Sequence, residues 1–184
     1  MISRTYKLLP NPSWHPHDKA LPVSVECVRN FEYLEFTFNV IEPPDCFRLE
    51  CTKDGDPCWQ DSCVEVFIAS HNGYYNIETN AAGKSLAEFG SSRNGRRQFE
   101  PLEYYSLQRR VLMEPTARPD GQIQWVLQLR ISNEKLQLSP VELVIGNLYK
   151  CGSMARIPTY LCAFKVDTPT PDFHRPEFFR NIFL

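Results

Sequence analysis

Apolar and polar residues alternate in two runs between positions 59 and 80, on either side of an Asn-Gly pair at positions 72 and 73. Asn-Gly favours the positive φ angles of a type I′ turn, so this pattern predicts a β-hairpin with a two-residue loop. In that register the opposite pairs include Glu65 with Asn80 and Phe67 with Glu78.

The predicted hairpin has one apolar face and one polar face. The apolar face holds Val64, Val66, Ile68, Tyr75 and Ile77, which is suited to a buried core. The polar face holds Glu65, Asn76, Glu78 and Asn80, and Trp59 precedes it. Carboxylates and amides beside a flat indole ring are suited to a polyhydroxylated ligand.

The rest of the chain continues the pattern of short strands. Alternating or apolar runs occur at 23–28, 31–40, 46–51, 85–89, 104–113, 122–131, 141–149 and 160–166. The run 122–131 is the most regular, and its inward residues are Ile123, Trp125, Leu127, Leu129 and Ile131. About ten strands with frequent turn signals and almost no helix predict an all-β fold, an antiparallel two-sheet β-sandwich with a jelly-roll or immunoglobulin-like outline.

Length and the absence of repeats or linkers predict one domain over residues 1–184. Residues 1–22 are rich in proline and read as an extended arm over a sheet edge, and the aromatic tail 167–184 is expected to pack on the sandwich. His15 and His17 lie in the arm, and we interpret them as loop residues because no third metal ligand is near in sequence.

A net charge of −2 gives no electrostatic reason to expect nucleic acid as a partner. The cluster of Arg93, Arg96 and Arg97 is short and is interrupted by Asn-Gly, which is typical of a solvated loop. No apolar run approaches membrane-spanning length, so we expect no membrane association. We also expect a monomer.

The seven cysteines are odd in number and irregularly spaced, and several fall on alternating strand positions. They are therefore expected to be reduced thiols packed as small hydrophobic residues. With no apolar signal core at the N-terminus, we expect a cytoplasmic protein, or an extracytoplasmic one if a leader was removed before position 1.

Asp54, Asp56 and Asp61 form an acidic loop that could hold a structural calcium ion, because hard cations prefer clustered oxygens. The spacing of an EF-hand is absent, and loops rich in Asp, Gly and Pro are common without a metal. We therefore expect no cofactor, with calcium at these three residues as the alternative.

The pattern W-x-D-S-x-V-E-x-F-I at 59–68, a tyrosine hairpin, a late I-G-N and an ending in FHRPEFF follow one another along nearly the whole chain. This arrangement resembles the family 9 carbohydrate-binding modules, and more narrowly the single-domain members that end in FHRPEFF. The resemblance implies a β-sandwich grouped with DOMON-like domains. It also implies binding of glucose or xylose units, often at chain ends, between two aromatic side chains.

The resemblance also assigns roles to single residues. Trp59 matches the first clamping tryptophan, Glu65 the carboxylate that bonds sugar hydroxyls, and Phe173 the position of the second tryptophan. A family glutamine falls at Lys150 and a family arginine at Glu78, so these two positions depart from the family pattern.

The remaining polar candidates are Asn76, Asn80 and Asn147, which can both donate and accept hydrogen bonds at the rim of a pyranose. The alternative for Glu65 and Lys150 is a structural ion pair on a half-exposed sheet face. We expect non-catalytic binding of mono- or oligosaccharides in polysaccharide catabolism, by a module that accompanies glycoside hydrolases such as xylanases.

Two other functions compete with sugar binding. A glycoside hydrolase would use Glu65 and Glu78 as its carboxyl pair, although a shallow sheet face would leave the acid solvated with little to raise its pKa. A haem-binding DOMON-like domain would use Met113, Met154 or His174, but no spacing in the sequence brings two of them together.

Overall fold

The computed structural model describes residues 1–11, 14, 21–139 and 142–184, and short strands make up nearly all of its regular structure. The strands are β1 (Ile2–Lys7), β2 (Leu9–Pro10), β3 (Val23–Arg29), β4 (Tyr33–Glu42), β5 (Cys63–Ser70), β6 (Gly73–Asn80), β7 (Ser85–Gly90), β8 (Arg96–Gln98), β9 (Leu107–Ala117), β10 (Ile123–Ser132), β11 (Ile145–Gly152), β12 (Thr159–Cys162) and β13 (Arg180–Asn181). Single-turn 3-10 helices span Pro44–Cys46, Cys58–Gln60, Glu103–Ser106 and Pro176–Phe178.

The strands form two sheets whose paired neighbours are antiparallel. The first sheet has five strands in the order β1-β3-β4-β10-β9. The second has eight, in the order β2-β12-β11-β5-β6-β7-β8, with β13 pairing with β11. The sheets are not closed into a barrel, and the prediction of an antiparallel β-sandwich is confirmed.

The main core lies between the two sheets. Strand residues alternate in direction, so every second residue of β4, β5, β6 and β10 points into this space, and most of these residues are apolar. The predicted core residues Val64, Val66, Ile68, Ile77, Trp125, Leu127 and Leu129 are all buried in it. The hydrophobic pattern alone was therefore enough to identify this face.

A second apolar cluster covers the outer face of the eight-stranded sheet. It contains Phe67, Tyr74 and Tyr149 from the sheet, together with Phe173 and Phe179 from the C-terminal tail. The central strands β5 and β6 are consequently buried on both faces along most of their length. Polar side chains on this outer face are therefore withdrawn from solvent.

The predicted register of the central hairpin is wrong by two residues. Ser70 pairs with Gly73, so the loop is His71-Asn72, and Glu65 lies directly opposite Glu78. Gly73 has a φ of +156°, and a Cβ there would lie 2.3 Å from the carbonyl oxygen of Gly90. Glycine is thus needed within the strand and not in the turn, while the two-residue shift leaves both faces unchanged.

The strand predicted at 46–51 is also wrong. The backbone N–H groups of Glu50 and Cys51 donate to the carboxylate of Asp61, and the N–H of Arg48 donates to Ser62 Oγ. These donors are therefore satisfied by side chains, which allows the segment to run as an irregular loop beside the sheet.

Both chain ends contribute edge or accessory strands. In the N-terminal segment, β1 pairs with β3 in the first sheet and β2 pairs with β12 in the second. In the tail, Ile182 and Phe183 are buried in the main core. His15 and His17 lie outside the described residues, as do positions 12, 13, 16, 18–20, 140 and 141.

All seven cysteines are buried as free thiols. Burial raises the pKa of Cys27 to about 12 and that of Cys162 to about 11, so both are protonated and packed like small apolar residues. In the part of the chain that the structure describes, no helix has the length and apolar character needed to cross a membrane.

Candidate functional site

A cavity of about 380 Å³ opens on the outer face of the eight-stranded sheet, between the sheet and the C-terminal tail. Its lining comes from six strands, from the 3-10 turn Cys58–Gln60 and other connecting segments, and from the tail. The lining residues are Trp59, Glu65, Glu78, Leu86, Glu88, Arg93, Arg96, Cys151, Ser153, Tyr160, Pro171, Asp172, Phe173 and His174. This volume is suited to a small ligand such as one or two sugar rings.

Two carboxyl groups form the floor of the cavity. Glu65 on β5 and Glu78 on β6 are directly opposite each other and are only 2% and 3% exposed. Burial raises the pKa of Glu65 well above its usual range and that of Glu78 to about 8, so both are neutral at neutral pH. The expectation that this face leaves its acids solvated is wrong, because the tail covers it.

The hydrogen bonds of this floor are incomplete. Asn76 Nδ2 donates to Glu78 Oε1 and to Glu88 Oε2, at 3.1 Å in each case. Within the described residues, Glu78 Oε2 and Asn76 Oδ1 are buried without a hydrogen-bond partner. A buried unpaired polar atom costs about 1–3 kcal/mol, and of these two residues Glu78 lines the cavity, where a ligand can supply the missing hydrogen bond.

The stability of the ligand-free protein is expected to fall as pH rises from about 4.5 to about 8. The pKa of Glu78 is raised from 4.5 to about 8 by folding, so the folded state holds the proton more tightly. The resulting stabilisation is complete below the unfolded pKa and is lost as pH rises through the folded pKa.

Urea denaturation at several pH values measures this slope, which is at most about 1.4 kcal/mol per pH unit for each carboxyl group. Glu78→Gln should flatten the slope, since glutamine does not titrate. The same slope in Glu78→Gln and in the original protein would mean that Glu78 is ionised in the folded state.

The charged side chains around the floor are paired with one another. Arg96 donates to Glu88 at 2.8 Å and to His174 Nδ1 at 3.0 Å, and Arg93 pairs with Asp172 at 3.3 Å. Burial and, to a smaller extent, the charges of Arg96 and Arg93 together lower the pKa of His174 to about 3. Because arginine can only donate, Nδ1 is the acceptor and the neutral imidazole carries its proton on Nε2.

The aromatic residues Trp59 and Phe173 both line the cavity. Trp59, in the 3-10 turn before β5, is 40% exposed, and its carbonyl oxygen accepts a hydrogen bond from the Ser153 N–H at 3.2 Å. Phe173 is 8% exposed and stacks on Tyr149 with ring centroids 4.0 Å apart. Phe173 is therefore held in place by the sheet, while Trp59 stands at the mouth.

Three of the predicted site residues, Asn76, Asn80 and Asn147, do not line the cavity. Asn76 is fully buried beside Glu78, to which it donates. Asn80 donates to the Cys51 carbonyl and to Asp61, and its own carbonyl accepts two backbone N–H groups of the following turn. Asn147 donates to the Phe164 carbonyl and accepts the N–H of the same residue. The side-chain amides of Asn80 and Asn147 therefore hold neighbouring loops in place.

Lys150 lies on the opposite face of β11 from the cavity, so the prediction that it contacts a ligand beside Glu65 is corrected. Its Nζ is 2.5 Å from Glu42 Oε2 and donates to Thr159 Oγ1 at 2.8 Å. Glu42 also accepts the indole N–H of Trp125 at 2.9 Å. The alternative ion pair of Lys150 with Glu65 is wrong as well, because strand alternation separates them.

The three acidic candidates for a metal each bind protein donors. Asp54 pairs with Arg109, Asp56 accepts the N–H groups of residues 52 and 53, and Asp61 pairs with Arg48 at 2.5 Å. In the described ranges, no group of three or more His, Cys, Asp or Glu side chains is arranged to hold a metal ion.

The three residues considered for haem do not line a common site. His174 lines the cavity, but Met113 and Met154 do not. Both methionines are exposed, on β9 and after β11.

Sequence reasoning missed several lining residues, among them Arg96, Cys151 and Tyr160. The sequence pattern predicts a solvated loop for Arg96, whereas pairing with β7 places this residue on β8. His174 was considered only for haem, although it adjoins Phe173 in the tail motif that defines the resemblance.

Comparison with known proteins gives the same assignment as the motifs. The family model for carbohydrate-binding family 9 matches residues 13–184. No curated protein gives a significant match.

Three solved structures share the fold over 95% of this chain. A candidate carbohydrate-binding protein from Bacteroides uniformis has a TM-score of 0.81 at 24% identity, over 83% of that chain. A family 9 carbohydrate-binding module from Caldicellulosiruptor kristjanssonii, in complex with cellotriose, has a TM-score of 0.57 at 12% identity, over 80% of that chain. The same module with glucose gives 0.52 at 12%, over 82%.

These identities establish a shared fold, whereas the family model matches nearly the whole sequence, from residue 13 to residue 184. This chain therefore belongs to carbohydrate-binding family 9.

Proposed function

We propose that this protein binds a sugar ring of the glucose or xylose type, including the end of a chain, without cleaving it. The ring lies between Trp59 and Phe173, and its hydroxyl groups bond to Glu65 and Glu78 on the floor. The observation that carries this proposal is the cavity itself, which is lined by a half-exposed indole and by a buried carboxyl group, that of Glu78, with an oxygen that has no described partner.

The chemistry of a pyranose supports the proposal. Its C–H faces are apolar and suit flat aromatic rings, while its rim of hydroxyl groups suits carboxyl and amide groups. The family 9 module of C. kristjanssonii was solved with glucose and with cellotriose. We propose the same ligand class here, in the context of polysaccharide catabolism.

Binding is favoured over hydrolysis by the ionisation of the floor. A retaining or inverting glycosidase needs one carboxyl group as the acid and one carboxylate as the nucleophile or base. The pKa of Glu65 and that of Glu78 are both raised, so neither supplies a carboxylate at neutral pH. The pair is therefore better suited to hydrogen bonding than to catalysis.

Quenching of tryptophan fluorescence tests this proposal. Trp14 and Trp125 are buried, so Trp59 is the tryptophan that acrylamide reaches in the described fold. Glucose, xylose and cellotriose are each titrated from about 1 μM to tens of mM, since small sugars are expected to bind with Kd between about 1 μM and 1 mM.

A bound ring should cover Trp59 and lower the quenching constant in a saturable way. Mannitol, a linear polyol without a ring face, is the control and should not protect. Quenching that no sugar alters would contradict the proposal.

A further inference from the structure

The floor of the cavity has more hydrogen-bond acceptors than donors. Both N–H groups of Asn76 are used by Glu78 and Glu88, which leaves Asn76 Oδ1 and Glu78 Oε2 without partners in the described chain. Each carboxyl group of the pair Glu65 and Glu78 offers one proton when neutral and none when ionised. The floor therefore offers a ligand more acceptors than donors, and most clearly so once either carboxyl group is ionised.

The positive charges of the cavity are already committed. Arg96 bonds to Glu88 and His174, and Arg93 pairs with Asp172. Among the described hydrogen bonds and ion pairs, none joins a lysine or arginine to Glu65 or Glu78. Other titratable groups surround this pair on every side. They are Cys58 in the 3-10 turn, Cys63 on β5, Glu88 on β7, Arg93 in the turn after it, Arg96 on β8, Tyr149 and Cys151 on β11, Tyr160 on β12, and Asp172 and His174 in the tail.

We propose that the cavity selects a pyranose with a free amino group, a hexosamine whose ammonium group lies against Glu65 and Glu78. An ammonium group brings three donors and no acceptor, whereas a hydroxyl group brings one donor and two acceptor lone pairs. It also supplies a positive charge beside whichever of the two acids is ionised on binding, since no described lysine or arginine is paired with either. This inference rests on the proposed function, because the amino sugar occupies the same site.

The aromatic lining favours the same ligand. Trp59, Tyr160 and Phe173 all line the cavity, and a cation near the face of an aromatic ring is stabilised by about 0.5–2 kcal/mol. A neutral sugar gains the stacking of its C–H face but not this added attraction. The aromatic rings and the carboxyl groups therefore both favour a sugar with a positive charge.

The proposal has a consequence for protons. In the free protein both acids are neutral, because burial raises the pKa of each. An ammonium ion placed between them favours the ionised form of one acid, and the proton that it loses passes to the buffer. Binding of a hexosamine should therefore release about one proton, whereas binding of a neutral sugar should release none.

Calorimetric titration with glucosamine, N-acetylglucosamine and glucose tests the inference, at about pH 6.5, where an alkylammonium group is charged. Each titration is repeated in two buffers that differ in their enthalpy of protonation, which gives the number of protons released. Glucosamine should bind at least ten times more tightly than glucose and should release about one proton. N-acetylglucosamine, which has no charge on its nitrogen, should show neither effect.

Glu78→Gln should bring the ratio of the glucosamine and glucose affinities towards one and should abolish proton release. Glu65→Gln provides a second variant if Glu78→Gln does not fold. Glu114→Gln on the exposed face of β9 is the matched control and should leave the ratio unchanged.

If glucose binds as tightly as glucosamine, or if glucosamine releases no proton, the selectivity inference is overturned while sugar binding stands. If no sugar of either kind binds, the proposed function fails as well.

Discussion

Replacing Lys150 with methionine is expected to lower the free energy of unfolding by about 3–5 kcal/mol. Lys150 and Glu42 form an ion pair between the two sheets, and neither side chain is exposed. Without Lys150, the Glu42 carboxylate keeps only the Trp125 indole N–H among its side-chain partners described here. An unpaired buried charge is costly, which gives this substitution a large effect. Urea denaturation followed by circular dichroism measures it.

Two controls separate the buried charge from other effects. The double variant Lys150→Met with Glu42→Gln should recover much of the lost stability, because glutamine removes the charge and still accepts the indole N–H. Arg156→Met removes the exposed pair with Asp45 and should cost less than about 1 kcal/mol. Equal losses in Lys150→Met and Arg156→Met would contradict this account of the core.

The fold was predictable because a sandwich depends on which face each residue occupies. Alternation in the segments of β5, β6 and β10 identified the core face correctly, even though the hairpin register was wrong by two residues. A shift of two residues preserves the side-chain period, so Val64 and Ile77 still point inward. The pairing across the strands could not be found this way, because it depends on where Gly73 meets Gly90.

Some of the residues that line the cavity could be predicted from the sequence, but the burial of the sheet face on which they lie could not. Trp59, Glu65 and Phe173 line one cavity, as the resemblance implied. Sequence spacing could not reveal that the tail buries the outer face, which raises the pKa of Glu65 and Glu78. The resemblance also pointed to Lys150, whereas the next residue, Cys151, is the one that faces the cavity. Adjacent residues of a strand point to opposite faces, so an error of one position reverses the face.

Trp59→Ala is expected to weaken sugar binding by at least about 2 kcal/mol, roughly 30-fold, because buried aromatic anchors dominate small interfaces. The melting temperature should change little, since Trp59 is 40% exposed and lies at the mouth of the cavity. Phe173→Ala should reduce both binding and stability, because Phe173 also packs on Tyr149. Tyr105→Ala removes an exposed aromatic side chain outside the cavity and is the matched control.

The most direct measurement is a calorimetric titration of the protein and of Trp59→Ala with the same sugars, under conditions in which both proteins are folded. We predict saturable one-site binding to the unmodified protein, unchanged binding to Tyr105→Ala and binding at least about 30-fold weaker to Trp59→Ala. If Trp59→Ala binds sugar with the same affinity as the unmodified protein, the sugar does not lie in this cavity and the central claim is wrong.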